Sequence, residues 1–272
     1  MRSMLFVPAD SEKKLAKGMT SGADALIIDL EDSVAPGNKA AARVTAAAFL
    51  RSARLAPERP TLYVRINSLD TAWWRDDVAS VIGAMPDGIM QPKTRSGADV
   101  ATLAALLDSL EPAAGINVGA TRLIAIATEV PVSVLNMGTY VPPHPRIEGY
   151  AWGAEDLSAL LGSQSTREAD GRSWTTPYML ARNLCLMAAA AAERQPLDTV
   201  YVNFRDIEGL LLEAEMAARD GFTGKMAIHP DQVAIINAAF TPSEKEVTWA
   251  REIVQLFKDN PGAGTIGLRG QM

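Results

Sequence analysis

Eight short apolar runs recur along the chain: SMLFVP (3–8), ALIIDL (25–30), TLYVRI (61–66), GIMQP (88–92), RLIAIA (122–127), GYAWG (149–153), TVYVNF (199–204) and KMAIHP (225–230). Each has the usual length of a β-strand. They read as near-continuous apolar segments, the mark of strands covered on both faces. Between them lie Ala- and Leu-rich stretches such as SGADVATLAALLDSL (96–110) and PYMLARNLCLMAAAAAE (177–193). These are helix formers with Ser or Pro near their starts. The alternation predicts parallel strands joined by helical crossovers, and eight such units in 272 residues predict one (β/α)8 TIM barrel. The competing architecture is an open doubly wound sheet, but no Gly-x-Gly-x-x-Gly turn follows the first run. The barrel is expected over residues 1–258, followed by a Gly-rich, extended or mobile tail over 259–272.

With 48% hydrophobic residues the chain can bury a full core. The single cysteine, Cys185, excludes an internal disulfide framework and a cysteine metal cluster, and fits a reducing compartment. The start, MRSMLFVPAD, lacks the pattern of a signal peptide, and no stretch reaches the ~20 apolar residues of a membrane span. A cytoplasmic location is expected. A net charge of -6 offers nothing to nucleic acid or an anionic membrane. An anionic small molecule would have to be met by local basic residues.

In barrels of this kind the chemistry sits at the C-terminal strand ends. There the second run brings Asp29, Glu31 and Asp32, the third Arg65 and Asn67, and the fourth Gln91 and Lys93. The fifth brings Thr128 and Glu129, the sixth Glu155 and Asp156, the seventh Arg205 and Asp206, and the eighth His229. Glu129 and Asp156 end consecutive runs and should be neighbours. Two carboxylates completed by water are the usual holder of Mg2+, which would polarise a carbonyl or enolate oxygen. The plainer readings are an N-cap for Asp156 ahead of DLSALLG and a surface loop for Glu129. Glu31 and Asp32 are either further ligands, partners of metal-bound water, or parts of a solvated loop before a helix near Asn38. Arg65 either clamps a carboxylate of the substrate or pairs with Glu31 or Asp32. Lys93 reads as the partner of a carboxylate rather than as a Schiff-base lysine. His229 reads as a rim residue, His144 as a loop residue and Cys185 as core.

RSMLFVPAD, ALIIDLEDSVAPGNKAAAR, YVRIN, MQPK, ATE, GYAWGAEDL and DGFTGKMAIHPDQVAIINAAFTPS resemble, in order and over nearly the whole chain, the citrate lyase beta subunit family. That family lies in the HpcH/HpaI aldolase superfamily, with the malyl-CoA and citramalyl-CoA lyases. The resemblance implies a TIM barrel assembled as a homotrimer or a dimer of trimers, with one Mg2+ for which Mn2+ can substitute. It implies reversible carbon–carbon cleavage of a 3-hydroxy-acid CoA thioester to an acyl-CoA and a 2-oxo acid such as oxaloacetate, glyoxylate or pyruvate. It implies metal ligation by Glu129 and Asp156, catalytic roles for Arg65, Glu31 and Asp32, and a carboxylate cradle in the backbone of Gly153, Ala154, Glu155 and Asp156. Arg65 would also bind the substrate, so Arg65→Lys is expected to cost activity far more than stability. Two alternatives stand beside this. One is a citrate lyase beta subunit that acts on an acyl-carrier-protein thioester. The other is a barrel that binds CoA esters or oxo acids without turnover. The sequence departs from the family at Val130-Pro131, where a small polar residue is common. The tail GAGTIGLRGQM resembles a stretch that in the family continues with Val-Asp and a helix. That Asp supplies acid–base chemistry to a neighbouring subunit, so a missing or absent lid, and an open active site, are expected.

Overall fold

The structure, a computed structural model, describes residues 1–270. Its strands are β1 (Ser3–Pro8), β2 (Ala25–Asp29), β3 (Thr61–Arg65), β4 (Gly88–Gln91), β5 (Arg122–Ile126), β6 (Ile147–Ala151), β7 (Gln195–Asp198) and β8 (Gly224–Ala227). They are parallel and close in chain order, β1 pairing with both β2 and β8. The crossovers are α1 (Glu12–Gly18), α2 (Lys39–Ala53), α3 (Trp74–Ile82), α4 (Gly97–Leu110), α5 (Pro131–Leu135), α6 (Glu155–Leu161), α7 (Thr176–Ala191) and α8 (Ile207–Asp220). Then follow α9 (Pro230–Ala239) and α10 (Glu244–Asp259). This is the barrel that the eight runs predict. Among the described residues no helix is long and apolar enough to cross a membrane.

Side chains alternate across each strand, and the two phases build two cores. Met4, Ile27, Tyr63, Met90, Ile124 and Met226 belong to the cluster that fills the barrel. The opposite phase, including Leu5, Leu26, Leu62, Ile89 and Leu123, packs with the helices in a larger cluster. Cys185 is buried in that outer layer, as expected. The inward phase continues to the strand ends and places Phe6 on β1, Asp29 on β2 and Arg65 on β3 at one mouth. Asp29 and Arg65 are direct partners in the β2–β3 register.

The seventh run is not a strand. β7 is Gln195–Asp198, and residues 199–204 form the loop beyond it. Asp198 explains why a strand there hides from a search for apolar runs. It lies opposite Lys225 in the register, and the fully buried Lys225 ammonium donates to Asp198 at 2.6 Å and to Glu213 at 2.7 Å. Two charges neutralise each other where aliphatic side chains would otherwise stand. The loop is apolar for a different reason: Tyr201 packs into the core, and Val200 and Val202 line the mouth. Arg205 and Asp206 therefore leave the strand end. Asp206 caps α8 by accepting the Gly209 N–H at 2.9 Å.

α10 has no buried residue. The segment after it doubles back, so that Arg269 meets Glu252 at 2.8 and 2.9 Å. That contact brings Arg269 back to the side of α10.

Candidate active site

A cavity of about 420 Å³ opens at the C-terminal strand ends. A larger groove of about 1280 Å³ runs between α8 and α10 on the outside of the molecule. The smaller one is the candidate because the inward strand phase delivers charged groups to it. One wall is apolar, from Phe6, Ile126, Val200, Val202, Met226 and Ile228; facing these residues are Asp29, Asp32, Arg65, Glu129 and Asp156.

The charged wall begins with Asp29, which organises the loop after β2. Its carboxylate accepts the N–H of Glu31 at 2.9 Å and of Ser33 at 3.1 Å. From β3 it receives Arg65 in a two-pronged pair, Nε and Nη2 each at 2.7 Å. Lys39, at the start of α2, donates to the carbonyls of Leu30 at 2.8 Å and Glu31 at 2.7 Å, fixing the same loop from outside. Arg65 also lies 3.1 Å from Glu31 through Nη1 and 4.6 Å from the centre of the Phe6 ring. Burial works against the Asp29 carboxylate and the Arg65 guanidinium, and their mutual attraction outweighs it. The Asp29 pKa falls and the Arg65 pKa rises.

Lys93 joins the rest. Its Nζ stands 2.8 Å from Glu31, 3.3 Å from Asp32 and 3.3 Å from Asp156. Its backbone N–H donates to Glu129 Oε2 at 2.7 Å. The residue holds a left-handed conformation, φ 51°, unusual for a side chain with Cβ. Burial opposes the Lys93 charge, and Glu31 and Glu129 restore it. Lys93 is thus a carboxylate partner, with four acidic residues within its reach.

Glu129 is buried, 5% exposed, not a surface loop residue. Burial and then the negative charge of Glu31 push its pKa up; Lys93 and Arg65 oppose this without cancelling it. Glu31 is raised by burial as well, and its Oε2 is buried without a hydrogen bond. Gly153 gives Glu129 its space, because a Cβ there would lie 2.7 Å from Glu129 Cγ. Thr128 Oγ1 accepts the Gly153 N–H at 2.9 Å and so ties the β5 loop to the β6 loop. Asp156 is not an N-cap: it lies in the first turn of α6, whose cap position is Ala154 and carries no side-chain bond.

The fold therefore gathers Glu31, Asp32, Arg65, Glu129 and Asp156, with Gly153, Ala154 and Glu155 at the same mouth. His229 stands at the rim as the cap of α9, stacked on Phe204 at 4.8 Å. His144 is in the loop before β6, its Nδ1 accepting the Arg146 N–H at 3.3 Å. Sequence reasoning assigned no role to Asp29 and missed Lys39 and the reach of Lys93. Asp29 was findable, since it shares the inward phase of Ile27 and sits opposite Arg65. That Lys93 partners a carboxylate was read from the sequence, but its joining of Glu31, Asp32 and Asp156 was not, because these residues and Lys93 come from three separate strand ends that only the fold brings together.

The model of the family described as HpcH/HpaI aldolase/citrate lyase matches residues 2–230. Citrate lyase subunit beta of Haemophilus influenzae is 34% identical over 100% of this chain and 91% of its own length. The L-malyl-CoA/beta-methylmalyl-CoA lyase of Cereibacter sphaeroides is 35% identical over 93% of this chain and 83% of its own. The crystal structure of protein CitE from Mycobacterium tuberculosis with magnesium, acetoacetate and coenzyme A is similar with a TM-score of 0.77 and 34% identity. That likeness covers 100% of this chain and 93% of the other.

Proposed function

Since the chain belongs to the HpcH/HpaI aldolase/citrate lyase family, we propose that it is a magnesium-dependent carbon–carbon lyase acting on 3-hydroxyacyl-CoA thioesters. The products are an acyl-CoA and a 2-oxo acid, and the reaction is reversible. The observation that carries this reading is the buried Glu129, raised in pKa beside Glu31 and close to Asp156 through their shared neighbour Lys93. A hard divalent cation is the partner such a carboxylate lacks. No set of three or more His, Cys, Asp and Glu side chains among the described residues has metal-holding geometry. The pair Glu129 and Asp156 would therefore share the ion with water and substrate oxygens, a coordination Mg2+ commonly keeps.

The bound ion would supply Lewis acidity to the oxygens of the oxo acid. The chain's own residues divide the remaining work. The backbone of Gly153, Ala154, Glu155 and Asp156 cradles the oxo-acid carboxylate. Arg65, held by Asp29 through Nε and Nη2 and facing Glu31 through Nη1, would turn its guanidinium charge to the negative charge that grows on the thioester oxygen as the bond breaks. This is stabilisation of the oxyanion-hole type, already oriented before the reaction. The wall of Phe6, Val200 and Met226 keeps water from the acyl group. Glu31, locked by Lys93, orients water near the ion. Asp32, 56% exposed and also in the mouth, is the carboxylate placed to exchange a proton with solvent.

The test is a panel of malyl-, methylmalyl- and citramalyl-CoA incubated with Mg2+ and read for oxo-acid release, alongside Glu129→Gln. Release from at least one thioester, abolished by chelator and by Glu129→Gln, is expected. No release from any CoA thioester would remove this reading. The beta-subunit likeness across the whole chain favours one second reading, a thioester carried on an acyl carrier protein. Release of oxaloacetate from a citryl-carrier thioester but from no CoA ester would establish it.

A further inference from the structure

Lys93 places a positive charge where the proposed ion must bind. Its ammonium lies 3.3 Å from Asp156, one of the two carboxylates assigned to the metal, and 2.8 Å from Glu31. Its backbone N–H, by contrast, supports the other assigned carboxylate, holding Glu129 Oε2 at 2.7 Å. Main chain and side chain therefore pull in opposite directions. The N–H orients Glu129, and the ammonium competes for Asp156 and repels a second cation nearby. The residue that carries both contacts is left-handed, with φ 51°. Such strain in a residue with Cβ persists where surrounding contacts enforce it. Asp32 and Glu31 hold the ammonium from the β2 loop, so it cannot leave the cluster at little cost.

Resting on the metal reading above, we propose that Lys93 is a built-in competitor of the divalent cation, setting how weakly Glu129 and Asp156 hold it. The carboxylates stay neutralised by a charge that belongs to the chain, and metal affinity is limited to what exceeds that attraction. Removing only the ammonium should then strengthen metal binding. A purely structural lysine predicts the reverse, since its loss would loosen the carboxylates.

The experiment is calorimetric titration of the whole chain with Mg2+ and Mn2+, without substrate, for the wild type, Lys93→Met and Lys93→Arg. Circular dichroism checks that each variant is folded. Lys93→Met keeps the backbone donor and most of the side-chain volume, and its Kd should fall about tenfold. Lys93→Arg keeps the charge and should bind as the wild type does. Unchanged or weaker binding by Lys93→Met would overturn the inference while leaving the metal reading intact. Wild-type protein that binds neither ion would overturn the metal reading itself, and the inference with it.

Discussion

Arg65 serves two purposes at one position. Its fork onto Asp29 closes a buried ion pair at the end of adjacent strands, and breaking such a pair leaves an uncompensated charge. Arg65→Lys keeps the charge but loses the planar fork. It should lower stability by about 2 kcal/mol, measured by denaturant unfolding. It should also lower turnover per folded molecule, measured on the same preparation. Asp29 thus removes the sequence-based reason to expect stability to be spared; activity loss no larger than the unfolded fraction would assign Arg65 to the fold alone. Gly153 makes a second case at this scale. In Gly153→Ala the new Cβ would press on Glu129 Cγ, whose Oε2 is anchored by Lys93 and cannot swing freely. Weaker Mg2+ binding with the circular dichroism spectrum retained is expected. Binding equal to the wild type would mean that Glu129 relaxes without cost.

Among the elements, the placement of side chains at the strand ends was legible wherever a strand is mostly apolar. β2, β3 and β5 announce themselves by composition, so Glu31, Arg65 and Glu129 followed directly from the sequence. β7 did not, because the Asp198–Lys225 pair replaces aliphatic side chains with charges that neutralise each other only in three dimensions. The apolar loop beyond β7 took its place in the reading. Another buried pair joins α4 to the segment before β6: Glu111 receives Arg146 through Nη1 and Nη2, at 2.7 and 2.6 Å. The N–H groups of Gly119 and Thr121 add to it at 2.8 and 2.9 Å. Burial opposes the Glu111 charge, and these donors, led by Arg146, outweigh it and hold the pKa at about 2. The folded state therefore binds its proton more weakly than the unfolded chain. The resulting stability, on the order of 3 kcal/mol, is complete above the unfolded pKa near 4.5 and is lost as pH falls toward 2. Glu111→Gln should be less stable at pH 7 and show a flatter decline between pH 5 and 2. Parallel wild-type and variant curves of unfolding free energy against pH would show that the pair does not control acid stability.

The whole molecule is a ring whose seam joins β1 to β8, with Ser3 opposite Lys225 and Leu5 opposite Ala227. These partners are more than two hundred residues apart in the chain. During synthesis at about 5–20 residues per second, roughly 10–40 s separate the appearance of β1 from that of β8. Throughout that interval one side of β1 has no hydrogen-bonding partner, and an apolar strand with an open edge can pair with another nascent chain. No local sequence change can shorten the wait, because closure is the last event the topology permits. The native barrel has no free edge at all, yet its precursor on the ribosome carries one for most of its synthesis. The danger of aggregation for this fold therefore belongs to the unfinished chain, and the speed of translation between the two ends of the seam governs how long that danger lasts.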